Sequence, residues 1–375
     1  MRCGLMSNAL MSSALTQQLT LERLQRIQAT LERRVAARDP DNIRQVGFAP
    51  QLAPESVHRE PSAPPATDTV ATDTSHALNL PITAQFDVRL KLQRLPSHKR
   101  IESFEAVRLL ERTSRSYLTL KLATDVLQTE EILPTGVRVQ SGDDYATTSS
   151  VVRWTKVAPM PPIANVEDAQ DSRWRWGVLT VAHLFHKPGS PASVTRVERL
   201  ASCGLGPDTV RGQVIAQGRV PGGPDISLIE TGLDRLWLSG MLPQPAGPSL
   251  RIAGERQLLP WIAHGTVGTY IGDGAAHPWQ WQTFYPQLSI PQLGRMRHIV
   301  RYRCTAEHTS VQPFGPGSSG GVIVAGGIPI GLQVAATSPS FQDAFAQCFD
   351  VSLIWLKKQL RATALDLVHL PQSLP

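Results

Sequence analysis

The stretch Gly315, Pro316, Gly317, Ser318, Ser319, Gly320, Gly321, followed at once by the apolar run Val322, Ile323, Val324, most constrains what this chain can become. Glycines at that density mark backbone that turns where side chains would obstruct it, delivered here to the start of an apolar strand. Such a loop has a chemical use. A serine hydroxyl is a poor nucleophile at neutral pH unless a base takes its proton and donors receive the charge its attack creates. Glycine at 317 lets the backbone turn an amide inward, so the N–H groups of Gly317 and Ser319 can converge on one developing oxyanion. Gly320 and Gly321 would let a substrate carbonyl come close. Glycine and serine are also ordinary turn residues, and these seven alone fit a surface loop equally well.

Two upstream stretches break that tie. Gly177 to Phe185 reads GVLTVAHLF, an apolar strand ending in His183, and Pro224 to Glu230 reads PDISLIE, in which Asp225 opens another apolar strand. The order is His183, Asp225, Ser319, with separations of 42 and 94 residues. Together these blocks resemble the T-x-A-H, D-I-x-L and G-x-S-G-G signatures of the chymotrypsin-like (trypsin-fold) serine peptidases. The resemblance spans about 225 residues, from Gly136 to Leu360, and leaves the first 135 outside it.

The resemblance implies a serine endopeptidase that hydrolyses peptide bonds through an acyl-enzyme. Ser319 would attack the carbonyl carbon, His183 would take its proton and return it to the leaving group, and Asp225 would hold the productive imidazole tautomer. The Gly317 and Ser319 amides would form the oxyanion hole. Ser319 is preferred to Ser318 because Gly320 and Gly321 follow it directly; His186 and Asp234 are the nearest rivals to His183 and Asp225. Alignment along the closing strands puts Pro313 and Phe314 at the base of the primary specificity pocket and Val334, Ala335 and Ala336 along its wall. None is charged, which implies a small or apolar residue before the scissile bond.

The chain departs from the family in two ways. Ser318 stands where many zymogens carry an aspartate that pairs with a freed amino terminus, and no I-V-G-G start exists upstream. The family's disulfides at the histidine and serine loops are also missing, since Leu184 follows the histidine and Gly315 lies four residues before the serine. Four cysteines in 375 residues make no disulfide framework, and no Cys/His cluster suggests a metal. A reducing, cytoplasmic setting is expected, and no cofactor.

The fold expected is mainly β: a two-barrel chymotrypsin-like fold with a C-terminal helix, preceded by an N-terminal helix, a disordered linker and a small α+β segment. The 30 prolines and 28 glycines suit loop-rich β structure. In residues 1–40, Leu24, Ile27, Leu31 and Val35 fall at helical spacing with arginines on other faces; the helix would dock on its own chain, or bind a partner or a second copy. Residues 41–80 are rich in Pro, Thr and Asp and read as disordered. In residues 81–135, Ile82 to Leu92 alternate as a strand, Ser97 caps a helix through Ile101, Phe104, Val107 and Leu110, and Leu118, Leu120 and Leu122 mark a second strand. The peptidase-like region is 136–375: a first barrel over about 136–245, a second over about 246–348, and a helix near 350–361. Arg297, Arg301 and Arg303 share one face of a strand, most simply a solvated one.

Other functions fit less well. Nothing approaches 18 apolar residues, so no membrane span is expected, and the run after Met1, broken by Ser7, Asn8, Ser12 and Ser13, makes a poor signal-peptide core. A net charge of +6 comes with no dense basic run, so the expected partner is a protein or peptide substrate and not nucleic acid. Gly317 to Gly321 also satisfies G-x-S-x-G, but an α/β-hydrolase needs its acid and histidine after the serine, and only His369 lies downstream. The remaining alternative is a catalytically silent module of the same fold that binds a peptide or partner.

Overall fold

The computed structural model describes residues 19–38, 43–51, 78–89, 106–110, 117–134, 137–138, 144–145, 150–157, 173–185, 195–199, 208–238, 242, 247–272, 275–305 and 314–370. The chain divides into two compact units, the first comprising residues 1–128 and 259–265 and the second residues 129–258 and 266–375.

In the first unit, helix α1 (Leu21–Arg38) is followed by strands β1 (Ile43–Pro50), β2 (Leu78–Arg89), β3 (Ala106–Leu110) and β4 (Tyr117–Thr129), in the sheet order β1-β2-β4-β3. Thr20 starts α1 by accepting the Arg23 N–H at 3.0 Å, a side-chain cap. Leu24, Ile27, Leu31 and Val35 are buried, so the apolar face meets its own unit, and Gln28 Nε2 donates to the Val46 carbonyl at 2.9 Å. Docking on its own chain accounts for that face.

Two expectations for this region fail. The stretch 41–80 contains β1 and the start of β2, so it is not a disordered linker throughout; residues 52–77 lie outside the described residues. Ile43, Val46 and Phe48 are buried, and a bulge between Ile43 and Gln45 breaks the alternation that would have revealed them. The helix expected through Val107 and Leu110 is instead strand β3 where it is described: Val107 and Leu109 are buried with Arg108 exposed between them, the period of a strand.

The second unit begins with β5 (Glu131–Pro134) and the short pair β6 (Val137–Arg138) and β7 (Asp144–Tyr145). Then come β8 (Val151–Thr155), β9 (Arg175–Thr180), β10 (Thr195–Arg199), β11 (Asp208–Gln217), β12 (Ser227–Thr231) and helix α2 (Leu233–Leu238). After helix α3 (Glu255–His264), whose residues from Leu259 onward belong to the first unit, come β13 (Val267–Gly272), β14 (Ala275–Ile290), β15 (Gly294–Cys304), β16 (Val322–Ala325), β17 (Ile328–Ser338) and β18 (Asp343–Cys348). Helix α4 (Phe349–Leu360) and strand β19 (Ala364–His369) end the described chain.

Apart from the β6–β7 pair and from β5, which pairs with β17, these strands make two assemblies. One is a six-stranded sheet in the order β10-β11-β12-β9-β8-β19. In the other, β13-β16-β17-β18-β15-β14 closes on itself, because β13 also pairs with β14, giving a ring of six antiparallel strands. One contiguous core joins them: Val152, Trp154, Leu179, Val181 and Leu228 from the sheet pack with Tyr285, Ile299, Val322, Val334 and Phe345 from the ring. The fold is mainly β with a helix near each end, as the sequence predicts. Beyond α4 the chain adds β19, which the sequence reading did not contain; it pairs with β8, aligning Asp366 with Arg153, whose buried guanidinium donates to it at 3.1 Å.

Two side chains depart from expectation. Ile354 on α4 is exposed, whereas Leu353, Leu356 and Leu360 are buried. Arg297 and Arg303 are solvated as expected, but Arg301 is buried, with its Nε donating to Asp343 at 3.0 Å. The carboxylate of the neighbouring strand makes an inward guanidinium tolerable. Among the described residues, no helix is long and apolar enough to cross a membrane.

Candidate active site

Strand β9 carries His183 to the site. From Gly177 to Ala182 every residue is buried, and the strand then breaks into a single 3-10 turn over His183–Phe185, closed by Phe185 N–H donating to the Ala182 carbonyl at 3.1 Å. The turn points successive amides one way. Ala182 and His183 both donate their backbone N–H to Asp225 Oδ1, each at 2.8 Å. The other carboxylate oxygen, Oδ2, lies 2.6 Å from His183 Nδ1.

Asp225 is fully buried. Burying a carboxylate is costly unless donors surround it, and here two amides and the imidazole do so. An ionised carboxylate only accepts, so with it Nδ1 carries the proton in that bond and Nε2 is the acceptor nitrogen of the ring. Asp225 reaches this position through the turn that precedes β12, where Gly218 N–H donates to the Ile226 carbonyl at 2.8 Å. Its own N–H donates to Gln347 Oε1 at 3.0 Å, tying the carboxylate's backbone to β18 of the ring.

The glycine-rich loop runs from Phe314 to Gly321. Ser318 N–H donates to the Gly315 carbonyl at 3.2 Å and Gly321 N–H to the Ser318 carbonyl at 3.1 Å. Gly317 (φ 95°) and Gly320 (φ 100°) take left-handed backbone that a side chain would oppose. Gly321 is glycine for a different reason: a Cβ there would lie 2.3 Å from Tyr270 Cε2. The close approach that the sequence suggested for a substrate carbonyl is thus, at Gly321, the packing of Tyr270.

A buried polar network holds this loop on β17. Gln333 Nε2 donates to Ser318 Oγ at 2.5 Å, Tyr302 O–H donates to Gln333 Oε1 at 2.7 Å, and Tyr270 O–H donates to the Ser318 carbonyl at 2.8 Å. Burial, with smaller effects of Tyr270 and Cys304, raises the Tyr302 phenol well above its ordinary range, so it stays a donor. Gln333 also exchanges backbone bonds with the loop, accepting from Gly320 N–H at 2.9 Å and donating to the Gly321 carbonyl at 2.8 Å. The two serines are therefore not equivalent. Ser318 Oγ faces inward to Gln333, whereas Ser319 Oγ donates to the Val334 carbonyl at 3.3 Å.

The two halves of the site hang from adjacent strands. Asp225 is bonded to Gln347 on β18, Leu332 on β17 is paired with Gln347, and the next residue, Gln333, holds the serine loop. Of the remaining sequence candidates, Val334, Ala335 and Ala336 are buried on β17. Phe314 is buried between Tyr270 and Tyr302, at centroid distances of 5.4 and 5.1 Å, both edge-on. Asp234 is exposed in the first turn of α2, and Pro313 and His186 lie outside the described residues. Sequence reasoning missed Gln333, Gln347, Tyr270 and Tyr302. A signal existed for the glutamines: each sits in a strand whose neighbours are all buried, and a lone amide in an apolar strand needs a partner.

No family model and no curated protein matches the chain. Among solved structures it is similar to the active form of the Rv3671c protease from M. tuberculosis, with 18% identity over 57% of this chain and 82% of that one and a TM-score of 0.32. It is also similar to a chymotrypsin of Cellulomonas bogoriensis (18% identity, 52% of this chain, 86% of that one, TM-score 0.31). A Nocardiopsis protease gives 17% identity over 60% of this chain and 91% of that one, with a TM-score of 0.32.

Proposed function

We propose that the chain is a serine endopeptidase of chymotrypsin-like fold, acting through Ser319, His183 and Asp225. The observation that carries this reading is the double attachment of Asp225 to the His183 turn, with Oδ2 at 2.6 Å from Nδ1 and Oδ1 accepting the two turn amides. A carboxylate placed so orients an imidazole as a base, which a merely structural histidine does not need.

In this reading, His183 Nε2 takes the Ser319 proton as Oγ attacks the scissile carbonyl, and the imidazolium formed is stabilised by Asp225. The N–H groups of Gly317 and Ser319 receive the charge on the carbonyl oxygen. His183 then protonates the leaving amine, and water, deprotonated by the same nitrogen, releases the acyl group. The uncharged side chains of Phe314, Val334, Ala335 and Ala336, with Pro313, favour a small or apolar residue before the cleaved bond. Substrates are proteins or peptides. The free thiols Cys304 and Cys348 suit a reducing compartment, and burial, with Asp350 nearby, raises the Cys348 thiol well above its usual range, which keeps it inert.

A fluorophosphonate probe tests the reading. It should label the folded protein on Ser319, and labelling should vanish in Ser319→Ala and His183→Ala but persist in Ser318→Ala. No labelling of folded protein, either wild type or Glu130→Ala/Leu133→Asp, would leave a peptide-binding module in its place.

A further inference from the structure

Strand β17 offers its two edges to different neighbours. On one edge β18 pairs along Gly331 to Ala336. On the other, β16 pairs only as far as Leu332, the serine loop takes Gln333 and Val334, and β5 takes Ala335 to Ser338. Since β18 is already opposite Ala335 and Ala336, β5 must lie on the edge that carries Ser319.

The direction of β5 matters as much as its place. It runs antiparallel, Glu131 opposite Ser338, Ile132 opposite Thr337, Leu133 opposite Ala336 and Pro134 opposite Ala335. Its C-terminal end therefore points at Val334, whose carbonyl accepts the Ser319 hydroxyl at 3.3 Å. One residue of strand spans roughly 3.3 Å, so Pro134 stops a single register step from Val334. An extended peptide delivered to Ser319 along this edge would use the same backbone groups in the same direction, the β-augmentation mode of peptide recognition.

Side chains fasten the segment. Ile132 is buried in the core of the second unit, and Glu130 Oε2 accepts from Ser340 Oγ at 2.5 Å and from Ser340 N–H at 3.3 Å. We infer that Glu131–Pro134 occupies the peptide-binding edge in cis, in the orientation of a substrate's acyl side, so that the chain as folded is self-inhibited and its own segment reports the preferred ligand. That ligand is an extended peptide with consecutive aliphatic residues ahead of a proline. The inference rests on the proposed role of Ser319 for its catalytic meaning, but the occupancy itself is a binding property.

The test uses full-length Ser319→Ala protein and a fluorescent peptide, Thr-Glu-Glu-Ile-Leu-Pro, the sequence of residues 129–134. A tethered segment competes at an effective concentration on the order of millimolar, so the parent should bind weakly. Adding Glu130→Ala and Leu133→Asp should tighten anisotropy-measured binding at least about tenfold. Equal affinity in the two folded proteins overturns the inference. Should the multiple variant fail to fold, Glu130→Ala alone, which removes both bonds to Ser340 and leaves Leu133 in place, should give a gain of several-fold, and no gain is again decisive against it. If binding tightens while the probe labels neither wild type nor the Glu130→Ala/Leu133→Asp protein, the occupancy stands and the hydrolase reading falls.

Discussion

Asp225 grips His183 at two points: Oδ2 lies 2.6 Å from Nδ1, and Oδ1 accepts the His183 backbone N–H at 2.8 Å. One carboxylate thus fixes both the tautomer of the ring and the turn from which the ring projects.

The two tasks separate on substitution. In Asp225→Asn the side-chain oxygen can still accept the Ala182 and His183 amides, but its NH2 then faces Nδ1 and makes that nitrogen an acceptor. The proton moves to Nε2, and the base is lost. Hydrolysis of a peptide substrate should fall by about ten-thousand-fold, as in the serine protease template, with melting temperature little changed. Asp225→Ala should lose activity and also destabilise, since two buried amides lose their acceptor, at roughly 1–3 kcal/mol each. A loss of activity under tenfold in Asp225→Asn would count against His183 as the base.

Gln333 links Ser318 and Tyr302 through its two amide atoms, at 2.5 and 2.7 Å. Gln333→Leu takes from the buried Ser318 and Tyr302 hydroxyls the amide that bonds both, so urea unfolding should show a loss of about 1–3 kcal/mol. Adding Tyr302→Phe and Ser318→Ala removes the two hydroxyls and should recover much of it. Because the loop holding Ser319 loosens, kcat should drop in Gln333→Leu while KM changes little. A pure KM effect would argue that Gln333 does not position the loop.

What the sequence disclosed follows from how local each cause is. Gly317 and Gly320 are dictated by their own backbone angles, and His183 and Asp225 by strand termini, so a short window shows them. Strand β1 was hidden because prolines flank it and its bulge spoils the alternation of Ile43, Val46 and Phe48. Val107 and Leu110 fit a helical spacing, yet the pairing of Val107 with Leu120 on β4 decided for a strand. β19 pairs with β8 through contacts some 210 residues away, such as Arg153 with Asp366, and no local pattern carries that information. The same holds for Gln333 and Gln347, whose partners come from distant segments.

Tyr270 and Gly321 should be coupled. The ring lies where a Gly321 Cβ would go, and its hydroxyl donates to the Ser318 carbonyl at 2.8 Å. Gly321→Ala forces ring or loop to move and should cost about 1–3 kcal/mol, with slower probe labelling of Ser319. Tyr270→Ala makes room, so the double variant should be more stable than additivity allows, by at least about 0.5 kcal/mol in chemical denaturation. Strict additivity would mean the contact is not the reason for glycine at 321.

Stability should fall on acidification in two stages. Burial on β19 pushes the His369 imidazole below its ordinary value. Between that lowered value and about 6.5 the unfolded chain binds the proton and the folded one does not. Stability is therefore full above about pH 6.5 and declines as pH falls through that value toward the folded one. His369→Gln should flatten this part of a plot of urea midpoint against pH. Asp343 acts lower. Burial pushes its carboxyl up, but the hydrogen bond from Arg303, together with the Arg301 charge and hydrogen bond, outweighs burial and holds it below the usual range. Its contribution is present above about pH 3.9 and disappears as pH falls through the lowered value, because protonation removes the charge that Asp343 sets against the buried Arg301. Asp343→Asn should remove that second stage and destabilise at neutral pH by roughly 3–5 kcal/mol, the usual consequence of breaking a buried pair from one side. A neutral-pH stability within 1 kcal/mol of wild type, read from the same urea curves, would show that Arg301 finds another partner.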